Sequence, residues 1–200
     1  MISRIKEQLR LLKDYNKLAK IETIARRYFV MNAFDGVLAV LGVLLGSYLA
    51  GPDPKIVVNT GLAAGIAIGV SGIWGAYLTE RAERQMEIKE LERATLSKLK
   101  ETKIGRAATF AIFVIAIIDG LAPFLASLII LTPFLMFGSV LSVTQMYIFS
   151  MVSAFVVLFA LGIYLGRLSK ENIIKTGLIM ILAGVMSSAI SYLLLGTHPA

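Results

Sequence analysis

The chain has no cysteine among its 200 residues, which excludes disulfides and thiolate metal sites. Its single histidine, His198, sits in the tail, so no His-based triad or zinc site can be assembled in the interior. No strand pattern is present, so no Gly-rich phosphate loop has a strand to follow. A membrane enzyme would need a nucleophile beside a base, and the sequence offers no such pair. Charge is also scarce, at 16% of residues against 57% hydrophobic, far more apolar than an ordinary globular domain. Between Asp35 and Glu80 only Asp53 and Lys55 are charged, and residues 107–166 carry Asp119 alone.

The long uncharged runs define the fold class. A helix needs about 20 apolar residues to cross a hydrocarbon core. Five runs qualify: residues 28–50, 56–79, 107–131, 138–166 and 172–195. Pro133 is expected to end the third, and the fourth is long enough to tilt or to include an interfacial turn. The first 27 residues are too charged for a secretory signal, so no cleaved leader is read there. The basic excess is a topology signal rather than a nucleic-acid footprint. Of 20 Lys and Arg, eight precede the first span, eight lie in residues 81–106, three in residues 167–175, and only Lys55 stands apart. The positive-inside rule then puts the N-terminus in the cytoplasm and the C-terminal GTHPA outside a cell membrane. Anionic lipid contact follows as a by-product, and no nucleic-acid partner is expected.

Residues 1–27 place Ile2, Ile5, Leu9, Leu12 and Tyr15 at spacings of three and four, as in an amphipathic helix lying on the cytoplasmic leaflet or docked on a partner. Residues 28–200 then form one transmembrane domain. Within it Gly61, Gly65, Gly69, Gly72 and Gly75 line one stripe of span two, while Gly42 with Gly46 and Gly162 with Gly166 repeat the device on spans one and four. Such small-residue grooves let helices approach closely, although a glycine-lined passage is the sharper alternative. The link at residues 79–103 lacks Gly and Pro, so span two is expected to run on as a cytoplasmic, Glu-bearing helix over residues 80–103 unless it turns back near Thr95–Ser97.

Three acidic features carry chemistry. Asp35 lies eight residues beyond Arg27, at a depth where a carboxylate is costly unless it faces a cavity, a partner or a cation. Met31 and Asn32 share its helix face. Asp35 either bonds a neighbouring helix or, as we favour, forms a cation or proton site with a soft sulfur and an amide oxygen beside it. Asp119 precedes Pro123 by four residues. A proline there frees a backbone carbonyl, which suits ion coordination and equally suits a buried, protonated Asp bonding the loose backbone. Glu80, Glu83, Glu87 and Glu90 form a stripe at spacings of three, four and three, flanked by Met86. The stripe reads as a solvated face helped by Arg84, or as carboxylate and thioether ligands for a divalent first-row metal such as Fe²⁺ or Mn²⁺.

In order along the chain, these motifs resemble the vacuolar iron transporter family, over most of residues 26–196. ARRYFVMNAFDGVLAVLGVLLG places Asp35–Gly36 where the family has its span-one Asp-Gly. SGIWGAYLT matches the end of the family's span two at Ser71, Gly75, Tyr77 and Thr79. DGLAP is similar to a G-x-x-x-P in span three, with Asp119 in the glycine's place, and KTGLIMILAGVMSSAISYLLLG resembles the last span. The departures are Gly72 for the family's methionine, Ala76 for its glutamate, Phe34 for its asparagine, and a shorter cytoplasmic insert. The resemblance implies a divergent prokaryotic member, a homodimer that moves Fe²⁺ or Mn²⁺ out of the cytoplasm in exchange for protons. Asp35 would be its intramembrane ligand and proton carrier, and the glutamate stripe its metal-collecting site; given the departures, either Met31, Asn32 and Asp119 have taken over coordination or the chain is a divergent member with another substrate. The metal is cargo; no permanently bound cofactor is expected. The alternative is a non-transporting membrane scaffold or assembly protein whose cytoplasmic helices bind a protein partner.

Overall fold

A computed structural model describes residues 2–51 and 53–196, apart from the side chains of residues 2–6, 8 and 9. Ile2, Ile5 and Leu9 of the expected amphipathic face, and His198 in the tail, therefore lie outside the described side chains. Among the described residues the chain is all helix: α1 (Ile2–Ala19), α2 (Ile21–Ala50), α3 (Pro54–Thr95), α4 (Lys103–Met136), α5 (Val143–Ser169) and α6 (Ile173–Leu195). The last five are each long and apolar enough to cross a membrane. Their outward faces carry large apolar side chains, such as Ile174, Leu178 and Leu182 on α6, as expected of helices whose solvent is lipid.

Helix ends follow from local chemistry. Lys20 adopts a left-handed φ of 49° between α1 and α2, so residues 21–27, grouped above with the amphipathic segment, instead open α2. The expected continuation of span two is present as one helix of 42 residues. It stops at Thr95, and Leu96 (φ 51°) starts the turn that leads to α4. Glu92 supports this turn by accepting a hydrogen bond from the Leu99 amide at 2.7 Å. Ser142 and Gln145 form a reciprocal capping box at the start of α5, and the Asn172 side chain caps α6.

One expectation needs correcting. Pro133 does not end the third span, because α4 runs through both Pro123 and Pro133 to Met136. Proline removes one main-chain donor without stopping a helix whose surroundings supply the rest. The helix resumes past Pro133, whose own carbonyl accepts from the Phe137 amide at 3.2 Å. The fourth apolar run then spends its first residues on a turn closed by two amides donating to the Phe137 carbonyl.

The described chain divides into two compact units. The first comprises residues 1–29 and 70–120. Its core joins Ala19, Ile21 and Ala25 to Ala76, Ala107, Ala111 and Ile115. Tyr15 packs against Phe110 with ring centroids 5.7 Å apart, and Lys103 binds Asp14 at 2.5 Å. Thus α1 is attached here by its C-terminal half.

The second unit comprises residues 30–69 and 121–200. Its core is built on Val37, Val40, Leu41, Leu44, Val57, Ile130, Leu131 and Leu158, with Ser127 and Ser150 also buried. Close backbone approach holds it. A β-carbon on Gly162 would lie 2.5 Å from the Gly177 Cα, so α5 and α6 touch main chain to main chain. Gly61 and Gly65 of α3 are filled by Leu131 and Ser127 of α4. Tight packing is thus the use of these glycines, whereas Gly42 and Gly75 face open space.

Candidate functional site

The Asp-Gly of span one and the Pro of span three meet in the second unit. A β-carbon on Gly36 would fall 2.7 Å from the Pro123 Cα and 2.8 Å from its carbonyl oxygen. No side chain fits there, so α2 presses on α4 with bare backbone. Gly36 is buried as a result, and its neighbour Asp35 is turned to the outside of the single chain. Met31, one turn earlier, is also exposed at 56%, and Asn32 is half-buried. One stripe of α2 therefore presents a thioether, an amide and a carboxylate, all in an otherwise apolar span. Such a stripe can offer a cation one charged oxygen and two neutral donors.

The first unit holds a different set of acids. Glu80 (5% exposed) and Asp119 (2% exposed) are both buried. Both act electrostatically on the half-buried Tyr28, as does Arg27. Arg84, itself 7% exposed, lies beside Glu80 at 3.5 Å and bonds Glu87 at 3.1 Å. Its other terminal nitrogen donates to the Ala19 carbonyl at 2.7 Å, at the end of α1. A cation there answers the unpaired carbonyls and the negative end of the helix dipole. Its Nε makes no hydrogen bond, so the Glu80 contact is an ion pair held by charge alone.

The glutamate stripe is thus divided. Glu80 and Glu87 are joined through Arg84, while Glu83, Met86 and Glu90 are exposed. Among the described residues no three His, Cys, Asp or Glu side chains gather closely enough to hold a metal ion. Asp35, Met31 and Asn32 belong to the second unit, and Glu80, Glu83, Met86, Glu87, Glu90 and Asp119 to the first. Arg84 was visible in the sequence only as a spacing partner of the glutamates. Nothing in the sequence pointed to Tyr28, because its neighbours Glu80 and Asp119 come from two other helices.

Five apolar helices with carboxylates inside their spans define a multi-pass membrane protein of the ion-handling class. The VIT family profile matches residues 26–107, a stretch that holds Asp35 and the glutamate stripe but not Asp119. Over 167 residues the chain is 34% identical to an uncharacterized protein of Methanocaldococcus jannaschii, covering 82% of this chain and 84% of that one. The chain belongs to the VIT family, and with it to the membrane metal-ion transporters.

Proposed function

We propose that this protein carries Fe²⁺ or Mn²⁺ out of the cytoplasm by exchange for protons, as a homodimer in the cell membrane with its N-terminus inside and its C-terminus outside. The observation that carries this reading is the outward setting of Asp35 on α2. A carboxylate near the centre of a span costs about 2.5–3.5 kcal/mol to insert, so it needs a hydrated path, a partner or a cation. A second copy covering this face would provide the enclosure, with Met31 and Asn32 completing the donor set. Asp119 and Glu80 would form a second acidic station, and Glu83, Met86, Glu87 and Glu90 the collecting face. Coupling follows from acid chemistry: a carboxylate holds either a proton or part of a metal's charge, so protonation weakens the site and releases the ion.

The test is metal flux into proteoliposomes under a pH gradient, comparing the wild type with Asp35→Ala and Asp119→Ala. Loss of one metal-site group costs roughly 10–100-fold, and a drop of that size is expected in at least the Asp35 variant. Undiminished Fe²⁺ and Mn²⁺ flux in both variants removes the mechanism.

A second reading rests on Glu83 and Glu90, which stay exposed beside the two glutamates that Arg84 engages, open to Lys or Arg of another chain. In it the protein is a non-transporting scaffold whose helices dock a protein partner. Isothermal titration with Fe²⁺, Mn²⁺ and Co²⁺ separates the two, since a scaffold gives no heat at millimolar metal.

A further inference from the structure

A cavity of about 490 Å³ opens in the first unit between the second half of α3 and the beginning of α4. Its walls are chemically two-sided. Lys89 and Lys100 lie toward one end and Tyr77, Ile112 and Phe113 toward the other, with Arg81 one helical turn from Tyr77. Four cations and one acid line it in all, but Arg84 is already neutralised by Glu80 and Glu87. The one acid, Glu92, is occupied with the Leu99 amide. Arg81, Lys89 and Lys100 are exposed, and among the described residues none of them is in an ion pair.

The direction of the polarity is what identifies the occupant. Along α3 the wall passes from Lys89 back to Tyr77, where the apolar span begins. Along α4 it passes from Gly105 forward to Phe113, again into an apolar span. The two helices therefore change from charged to greasy in the same sense across one cavity. A soluble anion would use only the charged end. An amphiphile with a phosphate head and a hydrocarbon tail uses both, and the membrane supplies one at this depth.

We propose that this cavity is a binding site for an anionic phospholipid. Its head group is held by Arg81, Lys89 and Lys100, and an acyl chain lies along Tyr77, Ile112 and Phe113. The inference depends on membrane insertion and is independent of what ion the protein moves.

The chain contains its own reporter. Its single tryptophan, Trp74, packs edge-on against Tyr77 with ring centroids 6.2 Å apart, and Tyr77 in turn lies 5.8 Å from Phe113. The full chain is reconstituted in phosphatidylcholine vesicles containing, at equal mole fraction, brominated phosphatidylglycerol or brominated phosphatidylcholine, and quenching of Trp74 is read. Brominated phosphatidylglycerol is expected to quench more strongly. Each of Arg81→Gln, Lys89→Gln and Lys100→Gln should lower that preference, by up to roughly fivefold per cation, the worth of one Lys or Arg at an anionic surface. A control triple variant, Arg10→Gln, Arg93→Gln and Lys98→Gln, set against the triple cavity variant, removes the same charge from residues that do not line the cavity and should keep the preference. Equal quenching by the two lipids overturns the proposal, as does a preference that the cavity substitutions leave intact. So does an equal loss in the control, which would mean general surface attraction. Abolition of the preference by inorganic phosphate would assign the site to a soluble anion instead.

Discussion

The two units are held together by opposite means. In the second, glycines let main chains touch, and Gly36 on Pro123 and Gly162 on Gly177 leave no space for even one methyl group. In the first, a buried guanidinium links α1 and α3 through Glu80, Glu87 and the Ala19 carbonyl. The first kind of contact depends on shape and is indifferent to pH. The second depends on charge balance, and removing either partner leaves the other buried and uncompensated. Substitutions should therefore fail for different reasons in the two units, and the variants below separate those reasons.

The largest effect is expected in the first unit. Arg84→Met strips Glu80 of its one buried counter-charge among the described residues, and losing one member of such a pair costs about 3–5 kcal/mol. Thermal unfolding in detergent should show a large loss, and adding Glu80→Gln should restore part of it. If the double variant is no better than Arg84→Met alone, buried charge is not what holds this unit.

Overpacking in the second unit comes next. Gly36→Ala forces α2 off Pro123 and should cost about 1–3 kcal/mol, whereas Gly42→Ala, which faces open space, should melt like the wild type. Equal melting of the two variants would break the claim that backbone approach organises this unit.

The smallest effect concerns the attachment of α1. The Lys103 ammonium, bonded to Asp14, holds that carboxyl below the usual carboxylate range. A lowered value in the folded state means the contact contributes above the ordinary carboxylate range and fades as the pH falls through the lowered value. Hydrogen exchange in residues 10–19 should therefore rise on acidification, once corrected for intrinsic rates. Asp14→Asn should raise exchange at neutral pH and flatten the dependence. The pair is exposed, so the change should be slight.

How much of this was legible beforehand depended on whether the information was local. Uninterrupted apolar runs gave five spans, and the absence of Gly and Pro after Thr79 gave the extension of α3. Pro133 misled because its cost is decided by the rest of the helix rather than by the residue itself, and α4 continues past it to Met136. The same holds for the site. Helical spacing correctly grouped Met31 with Asp35, since both lie on one exposed stripe. Spacing could also align four glutamates, but it could not show that Arg84 would turn inward with Glu80 and reach the end of another helix. Nor could it show that Gly36 and Pro123 are a single contact, since 86 intervening residues carry no trace of the pairing.

The bond from Arg84 to Ala19 has a practical side. Trimming the front of a membrane protein is a common first step in preparing it for crystals or cryo-microscopy, and α1 looks dispensable on paper. A version beginning after Lys20 would delete the carbonyl oxygen that accepts a hydrogen bond from the guanidinium, leaving that buried N–H without it. Any tag, linker or fusion partner is therefore better joined ahead of α1 than substituted for it.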